Sequence, residues 1–340
     1  MSTEYGTFYN TDYRSVTNSK SCPFTRNSSG KINEFRAPSK DQVRSVCPAL
    51  NTMANHGYIP RDGRRLTFKS IFSGLKTCYG LSTPLALVLT LGGYLLVRRL
   101  PIQLPFGLDK IFRVRNPDGS TSSPGELDLH HIGLHNGVEH DASLVHEDAR
   151  KGELYPPIRI NDEWVKNIVG DISPKVKGYS DGQRTPSFGE GGSDSEDGLT
   201  TLSPSHDPSR SSSRSSMTIA SGVSLGWQRF TSEEYRNTLV SAADVGRMRA
   251  RRQREIAPKK MDSFHAELAR GEMAIILGVW EETDGTTKKK GMPLPYLLTW
   301  LAKERLPEGW EPNHTQGLLD VIRKNKEIRA VAEAIENGDS

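Results

Sequence analysis

The chain has 340 residues, enough for one large or two small domains, and only 35% of them are hydrophobic, so part of it is expected to stay outside any core. Three cysteines exclude a disulfide framework, and a net charge of +4 over this length is too mild to mark a nucleic-acid binder. The fold must be held by packing or by a bound cofactor.

Residues 1–35 are rich in Ser, Thr, Asn and Tyr without a sustained period, which predicts a disordered tail, with folded sequence from about residue 36 to 38 onward. The start, MSTEYGTFYNTDYRS, has neither a basic nor an apolar leader region, so a cytosolic protein is expected. The first informative stretch is VCPALNTMANHGYIPRDGR, Val46 to Arg64. Proline at position 48 fits the first turn of a helix, which places Cys47 at the helix N-terminus; the helix runs through Ala54 or Asn55 and closes at His56-Gly57. The peptide dipoles and free N–H groups of that terminus are expected to pull the thiol toward thiolate, which would ready it for a metal. The bland reading of an isolated Cys-Pro pair is a small buried cap.

Pro84 to Val97 (PLALVLTLGGYLLV) is an apolar run of 14 residues. A membrane span needs about 20, so a buried helix is predicted, the alternative being a membrane-associated segment. GVEHDASLVHEDA, Gly137 to Ala149, brings Glu139, His140, Asp141 and Ser143 within one turn, a set of oxygen donors suited to a hard divalent cation. A competing view takes His130, His131, His135 and His140 as ligands of zinc or non-haem iron, although their spacing matches no zinc motif. From about 175 to 224 the chain runs through GEGGSDSEDG and SPSHDPSRSSSRSSM, too poor in apolar residues to order itself; it predicts a disordered insertion in one domain spanning about 36–337.

Beyond the insertion the apolar spacing is helical. RMRARRQREIAPKK (247–260) is a basic stretch that, taken alone, would suit a nucleic-acid contact through Arg249, Arg251 and Arg252. FHAELARGEMAIILGVW sets Phe264, Leu268, Ala269 and Glu272 on one helix face, and LPYLLTWLAKERL and GLLDVIRKNKEIRAVAEAIEN show the same period, the last closing at Asn337-Gly338. Strand-like alternation is scarce, so the fold class is mainly α. Glu272 opens an apolar run in which a carboxylate without partner or function would be costly; Glu267 has the default surface character.

CPALNxxANHGYxPRDGR resembles the proximal motif of the haem-thiolate peroxidases, the family of fungal chloroperoxidase and the unspecific peroxygenases, in its His-containing branch. The resemblance implies a helical domain enclosing haem b, with Cys47 as axial iron ligand and as donor of electron density favouring O–O cleavage of hydrogen peroxide. It implies further that Glu139, the His140 carbonyl and Ser143 bind Mg²⁺ or Mn²⁺ with a haem propionate. The His140 side chain would orient Glu272, the acid–base group that moves the peroxide proton. GEMAIILGVW carries the match at Glu272 and KERLPEGWEP (303–312) supports it. Two departures stand out: Val46 replaces a common proline, and His146 stands where the family usually has an arginine, which would weaken a structural ion pair. The implied activity is peroxide-driven oxidation or oxygenation of a small apolar or aromatic substrate, with fungal secondary metabolism as the implied setting. The alternatives are haloperoxidase chemistry at the same site or a non-catalytic haem-binding interaction protein. Phe68 to Leu75, Leu85 to Leu96 and the Glu272 helix are expected to line the substrate channel.

Overall fold

The computed structural model describes residues 33–97, 126–172 and 232–338; the insertion at 175–224, Cys22 and most of the expected N-terminal tail lie outside the described residues. The first helix, α1 (Pro48–His56), begins as its sequence dictates. Cys47 is the N-cap with an extended backbone, Pro48 takes the first helical position, and Gly57 ends the helix at φ +76°, a left-handed conformation that costs glycine nothing. Strand β1 (Leu66–Thr67) leads into α2 (Phe68–Tyr79), whose start is closed by reciprocal Thr67 and Ser70 bonds. Gly80 then turns the chain at φ +67° against the carbonyl of His314, where a Cβ would come within 2.6 Å of that oxygen.

Helix α3 (Thr83–Leu96) follows, then β2 (Glu126–Leu127), the single turn α4 (Leu129–Ile132) and α5 (Asp162–Asp171). The C-terminal part contains α6 (Ser232–Asn237), β3 (Leu239–Val240), α7 (Ala242–Glu255), α8 (Ser263–Val279), β4 (Glu282–Thr283), β5 (Lys290–Pro293), α9 (Leu294–Lys303) and α10 (Leu318–Asn337). The strands are minor fasteners: β1 pairs antiparallel with β2, and β5 lies between β3 and β4. Helix α10 packs along α7 and α8, and the approach to α7 is close enough that a Cβ on Gly246 would come within 2.7 Å of Val331. One continuous apolar core runs through the described segments, from Met53 and Leu66 to Leu277, Trp280 and Leu301.

Two expectations are corrected here. Ordered structure starts before residue 36: Asn33 O accepts a bond from His56 Nδ1 at 2.8 Å, and the Phe35 ring packs on His56 and under Arg305. The 84–97 run is a helix, but it is buried on one face only. Leu85, Ala86, Thr90 and Tyr94 are buried, Leu87 and Leu91 are exposed, and Val88 and Leu95 are exposed toward a cavity between the helices. No helix among the described residues is long and apolar enough to cross a membrane.

Candidate active site

A cavity of about 530 Å³ lies between α1, α2, α3, α8, α9 and the 138–146 loop. Its walls are largely aliphatic, with Leu50, Ile71, Leu75, Leu89, Leu144 and Ile276 among them. Among the polar residues set against this background are Cys47, Glu139, His140, Ser143, His146, Arg249 and Glu272. All five residues singled out as site residues (Cys47, Glu139, His140, Ser143 and Glu272) therefore face one volume. The channel segments are also there in part, through Ile71 and Leu75 of α2, Val88 to Leu96 of α3 and Leu268 to Ile276 of α8; Phe68 packs behind the wall.

The Cys47 loop owes its shape to the asparagines of its own motif. Asn51 Oδ1 accepts from Ser45 N at 3.0 Å, and its Nδ2 donates to Ser45 O at 2.7 Å and to Glu304 Oε1 at 2.5 Å. Ser45 Oγ in turn accepts from Cys47 N at 3.0 Å. Asn55 joins the same clamp, accepting from Arg44 at 2.8 Å and donating to the carbonyl of Glu304 at 3.1 Å. His56 secures the helix end, its Nε2 accepting from Leu306 N at 3.1 Å. Glu304, the α9 C-cap in a left-handed conformation, is half-buried, and burial pushes its carboxyl up to about 7. The KERLPEGWEP segment (303–312) thus contributes to the site through Glu304 and Leu306.

The thiol itself departs from expectation. Burial raises Cys47 to about 12, the Glu272 carboxylate adds to the rise, and the N–H groups of Leu50 and Ala49 aimed at the sulfur do not offset them. The helix terminus alone does not make a thiolate here. A coordinated cation would deprotonate the thiol, so the burial is compatible with metal ligation.

Glu272 sits midway along α8 with 45% of its side chain accessible, because it faces the cavity and not the packed interior. Its Oε2 is 3.7 Å from His140 Nε2. The His140 ring is buried and its Nδ1 donates to the carbonyl of Asp141 at 2.7 Å, which leaves Nε2 turned toward the carboxylate. Burial by itself would lower the imidazole, but Glu272 outweighs it and His140 is raised above its ordinary value. Glu267 is elsewhere: its Oε1 accepts from Arg270 at 2.9 Å and Arg329 at 2.8 Å, away from the cavity lining.

The loop carrying Glu139 and Ser143 is bent by Ala142 at φ +61°, a conformation that a residue with a Cβ holds only when its surroundings impose it. Ala142 N donates to Asp148 Oδ1 at 2.8 Å and its carbonyl accepts from Arg249 at 3.2 Å. Arg252 bonds the carbonyl of Ser143 at 2.6 Å, reaches Asp148 at 3.3 Å and lies over Trp164. The three arginines named for a nucleic-acid contact are engaged within the fold: Arg249 and Arg252 are buried, and Arg251 pairs with Asp171 and Glu255. Arg252 also pairs with Glu255 within α7, and its contact with Asp148 ties the loop to that helix. His146 is only 1% exposed, Nδ1 lies 3.2 Å from the carbonyl of Arg159, and burial lowers it to about 4.

Arg249 is a further candidate site residue, one that its sequence context does not mark. Its guanidinium reaches the cavity wall, is held by the Ala269 carbonyl at 2.7 Å, and stays cationic although burial lowers it to about 10. Its Nε has no hydrogen-bond partner. In the sequence nothing but the interruption of a polar helix by inward spacing at Val245, Met248, Arg249 and Arg252 distinguishes it from its exposed neighbours. Glu139 is buried, its Oε2 2.7 Å from His135 Nδ1, and burial raises its carboxyl despite that imidazole. The four histidines do not converge: His135 binds Glu139, His140 binds Asp141 and Glu272, and His131 accepts from Asp128 N. No cluster of three or more His, Cys, Asp or Glu side chains able to hold a metal exists among the described residues.

A family profile described as "Peroxidase, family 2" matches residues 33–189 and 205–315, well over half the chain. The chain belongs to this family, the fungal haem-thiolate peroxidases. An aromatic peroxidase of Fusarium equiseti is 34% identical over 126 residues, 34% of this chain and 27% of the relative. The chloroperoxidase of Leptoxyphium fumago is 49% identical over 37 residues, 11% and 10% of the two chains. The dothistromin biosynthesis peroxidase of Dothistroma septosporum is 59% identical over 29 residues, 8% and 7%. The matched stretches thus span about a quarter or less of these relatives. Family membership makes haem the expected cofactor, and the residues present fit it. The cavity falls in the range of about 300–1,000 Å³ usual for cofactor sites. A thiol stands in an aliphatic wall, and a buried guanidinium has a nitrogen without a protein partner.

Proposed function

We propose that the protein is a peroxide-dependent haem-thiolate oxidoreductase, a peroxidase or peroxygenase, with Cys47 as axial ligand and the Glu272–His140 pair as its proton-handling group. The reading rests on one observation: thiol, imidazole and carboxylate face the same apolar cavity from α1, the 138–146 loop and α8. Bound haem supplies the two-electron redox chemistry of the peroxide O–O bond. Glu272 accepts a proton from the entering peroxide oxygen and returns it to the departing one, and His140, fixed at Nδ1, faces the carboxylate with Nε2 at 3.7 Å and so biases its orientation. Arg249 adds a buried positive charge to the cavity wall that attracts the Glu272 carboxylate. The aliphatic walls exclude water and admit a small apolar or aromatic substrate.

In the same reading Glu139, Ser143 and the His140 carbonyl hold Mg²⁺ or Mn²⁺, with a haem propionate completing the set. The chemistry named for the relatives, aromatic peroxidation and a step in dothistromin biosynthesis, suggests an aromatic substrate of secondary metabolism here as well. The deciding test is the visible spectrum of the haem-loaded, reduced protein under carbon monoxide. A strongly red-shifted Soret band, abolished in Cys47→Ala, is expected together with peroxide-dependent oxidation of an aromatic substrate. Imidazole-type absorbance, or a shifted band that survives Cys47→Ala, refutes the ligand assignment.

A further inference from the structure

Three of the chain's five tryptophans form a continuous chain of rings from the cavity to the outside. Trp300, on α9, lines the cavity. Its ring centroid is 5.7 Å from that of Trp280, at the end of α8, and Trp280 is 5.8 Å from Trp310. Both contacts are edge-on, at 72° and 78°, within the range of about 4.5–7 Å in which aromatic rings touch. Trp280 is almost wholly buried, whereas Trp310 is half-buried in a surface turn flanked by exposed Glu308 and Glu311.

From this geometry we infer a second site of oxidation at Trp310, which passes single electrons from bulky phenols or aromatic amines outside the protein through Trp280 and Trp300 to the peroxide-oxidised centre. The inference rests on the haem seat proposed above. Electron transfer between touching rings needs no entry of the donor into the cavity. Removing an electron makes an indole N–H strongly acidic, so a nearby base would trap the vacancy by taking the proton. Trp280 Nε1 has no hydrogen-bond partner, Trp300 Nε1 faces only the Tyr79 hydroxyl, and Trp310 Nε1 donates at 3.1 Å to the carbonyl of Cys78; neither a neutral phenol nor a carbonyl is a base able to take the proton. The vacancy therefore keeps moving until it reaches Trp310, where water and the two acidic neighbours favour the cation over the buried positions. Tyr79 also touches Trp280, at 6.2 Å, but is a dead end: its hydroxyl donates to the carbonyl of Ala49, so a phenol radical there has nowhere to send its proton. The balance is that of a peroxidase: two donor molecules lose one electron each, and hydrogen peroxide with two protons becomes two waters.

The experiment uses the haem-loaded full chain and its Trp310→Phe and Trp280→Phe variants, treated with hydrogen peroxide. A nitroso spin trap, located by peptide mass spectrometry, should label Trp310 in the parent and not in Trp280→Phe. Oxidation of a phenol tethered to dextran should fall at least about tenfold in both variants, while the same phenol free in solution, which enters the cavity, should change by less than about twofold. Trp310→Phe, at a half-buried position, keeps the test valid if Trp280→Phe folds poorly. Labelling of Trp310 that persists in Trp280→Phe, or tethered-phenol oxidation unaffected by Trp310→Phe, overturns the route. Absence of the thiolate absorbance band with oxidation of neither phenol overturns the haem seat itself, and the route with it.

Discussion

The two polar sides of the cavity are built differently. The Cys47 loop is held by neighbours in its own segment, Ser45, Asn51 and Asn55, with one distant clamp at Glu304, and its bonds run from 2.5 to 3.1 Å. The acid–imidazole side is assembled from the 138–146 loop, α7 and α8, and its central contact between His140 and Glu272 is a looser 3.7 Å. A ligand that must stay on one atom gains from a stiff frame, whereas a group that must accept and return a proton needs a partner within reach but not locked to it.

The comparison can be tested from its largest expected effect downward. Glu272→Gln keeps the shape and removes the base; peroxide-dependent turnover should fall at least about 10²-fold with the ferric spectrum unchanged, and a smaller loss would remove Glu272 from the proton step. On the stiff side, Asn51→Ala leaves the polar atoms of Ser45 and Glu304 without partners. It should lower unfolding free energy by about 1–3 kcal/mol in denaturant titration, with haem affinity falling in parallel. Near-wild-type stability would mean that the loop is fixed by packing alone.

Glu304 gives a pH signature on that same side. Its folded carboxyl lies at about 7, above the unfolded value near 4.5, so the folded form holds the proton more tightly. Its contribution is fully present below about 4.5 and is lost as pH rises through 7, with a slope of at most about 1.4 kcal/mol per pH unit. His146, lowered to about 4, works in the opposite sense, since the unfolded imidazole takes a proton first as pH falls. The difference between Glu304→Gln and the parent isolates the first effect: the variant should gain relative stability from pH 4.5 to 7, and parallel pH curves would disprove the assignment. The smallest effect is expected at Glu267→Gln, whose exposed pairs with Arg270 and Arg329 should be worth no more than about 0.5–1 kcal/mol, with turnover unchanged.

Legibility followed the range of the forces. The start and end of α1 were readable because Pro48 and Gly57 act within a turn, and α8, α9 and α10 because apolar spacing repeats along each. The half-exposed face of α3 was not, since a uniformly apolar run carries no mark of which side meets the core. Nor was the role of the arginines in α7. Arg249 and Arg252 look like Arg251 and Arg254 in composition, and only the packing of α7 against the loop and α8 turns the first two inward.

By itself the sequence determined a mainly helical chain, a cysteine at a helix start and the residue types of the candidate site, all consequences of local backbone preference and recurring motif. Tertiary structure decided that burial outweighs the helix terminus at Cys47, that His140 points Nε2 at Glu272, and that Arg249 and Glu304 belong to the site. The reason is physical: desolvation and charge pairing depend on which distant segments meet, and nothing within one segment records that meeting.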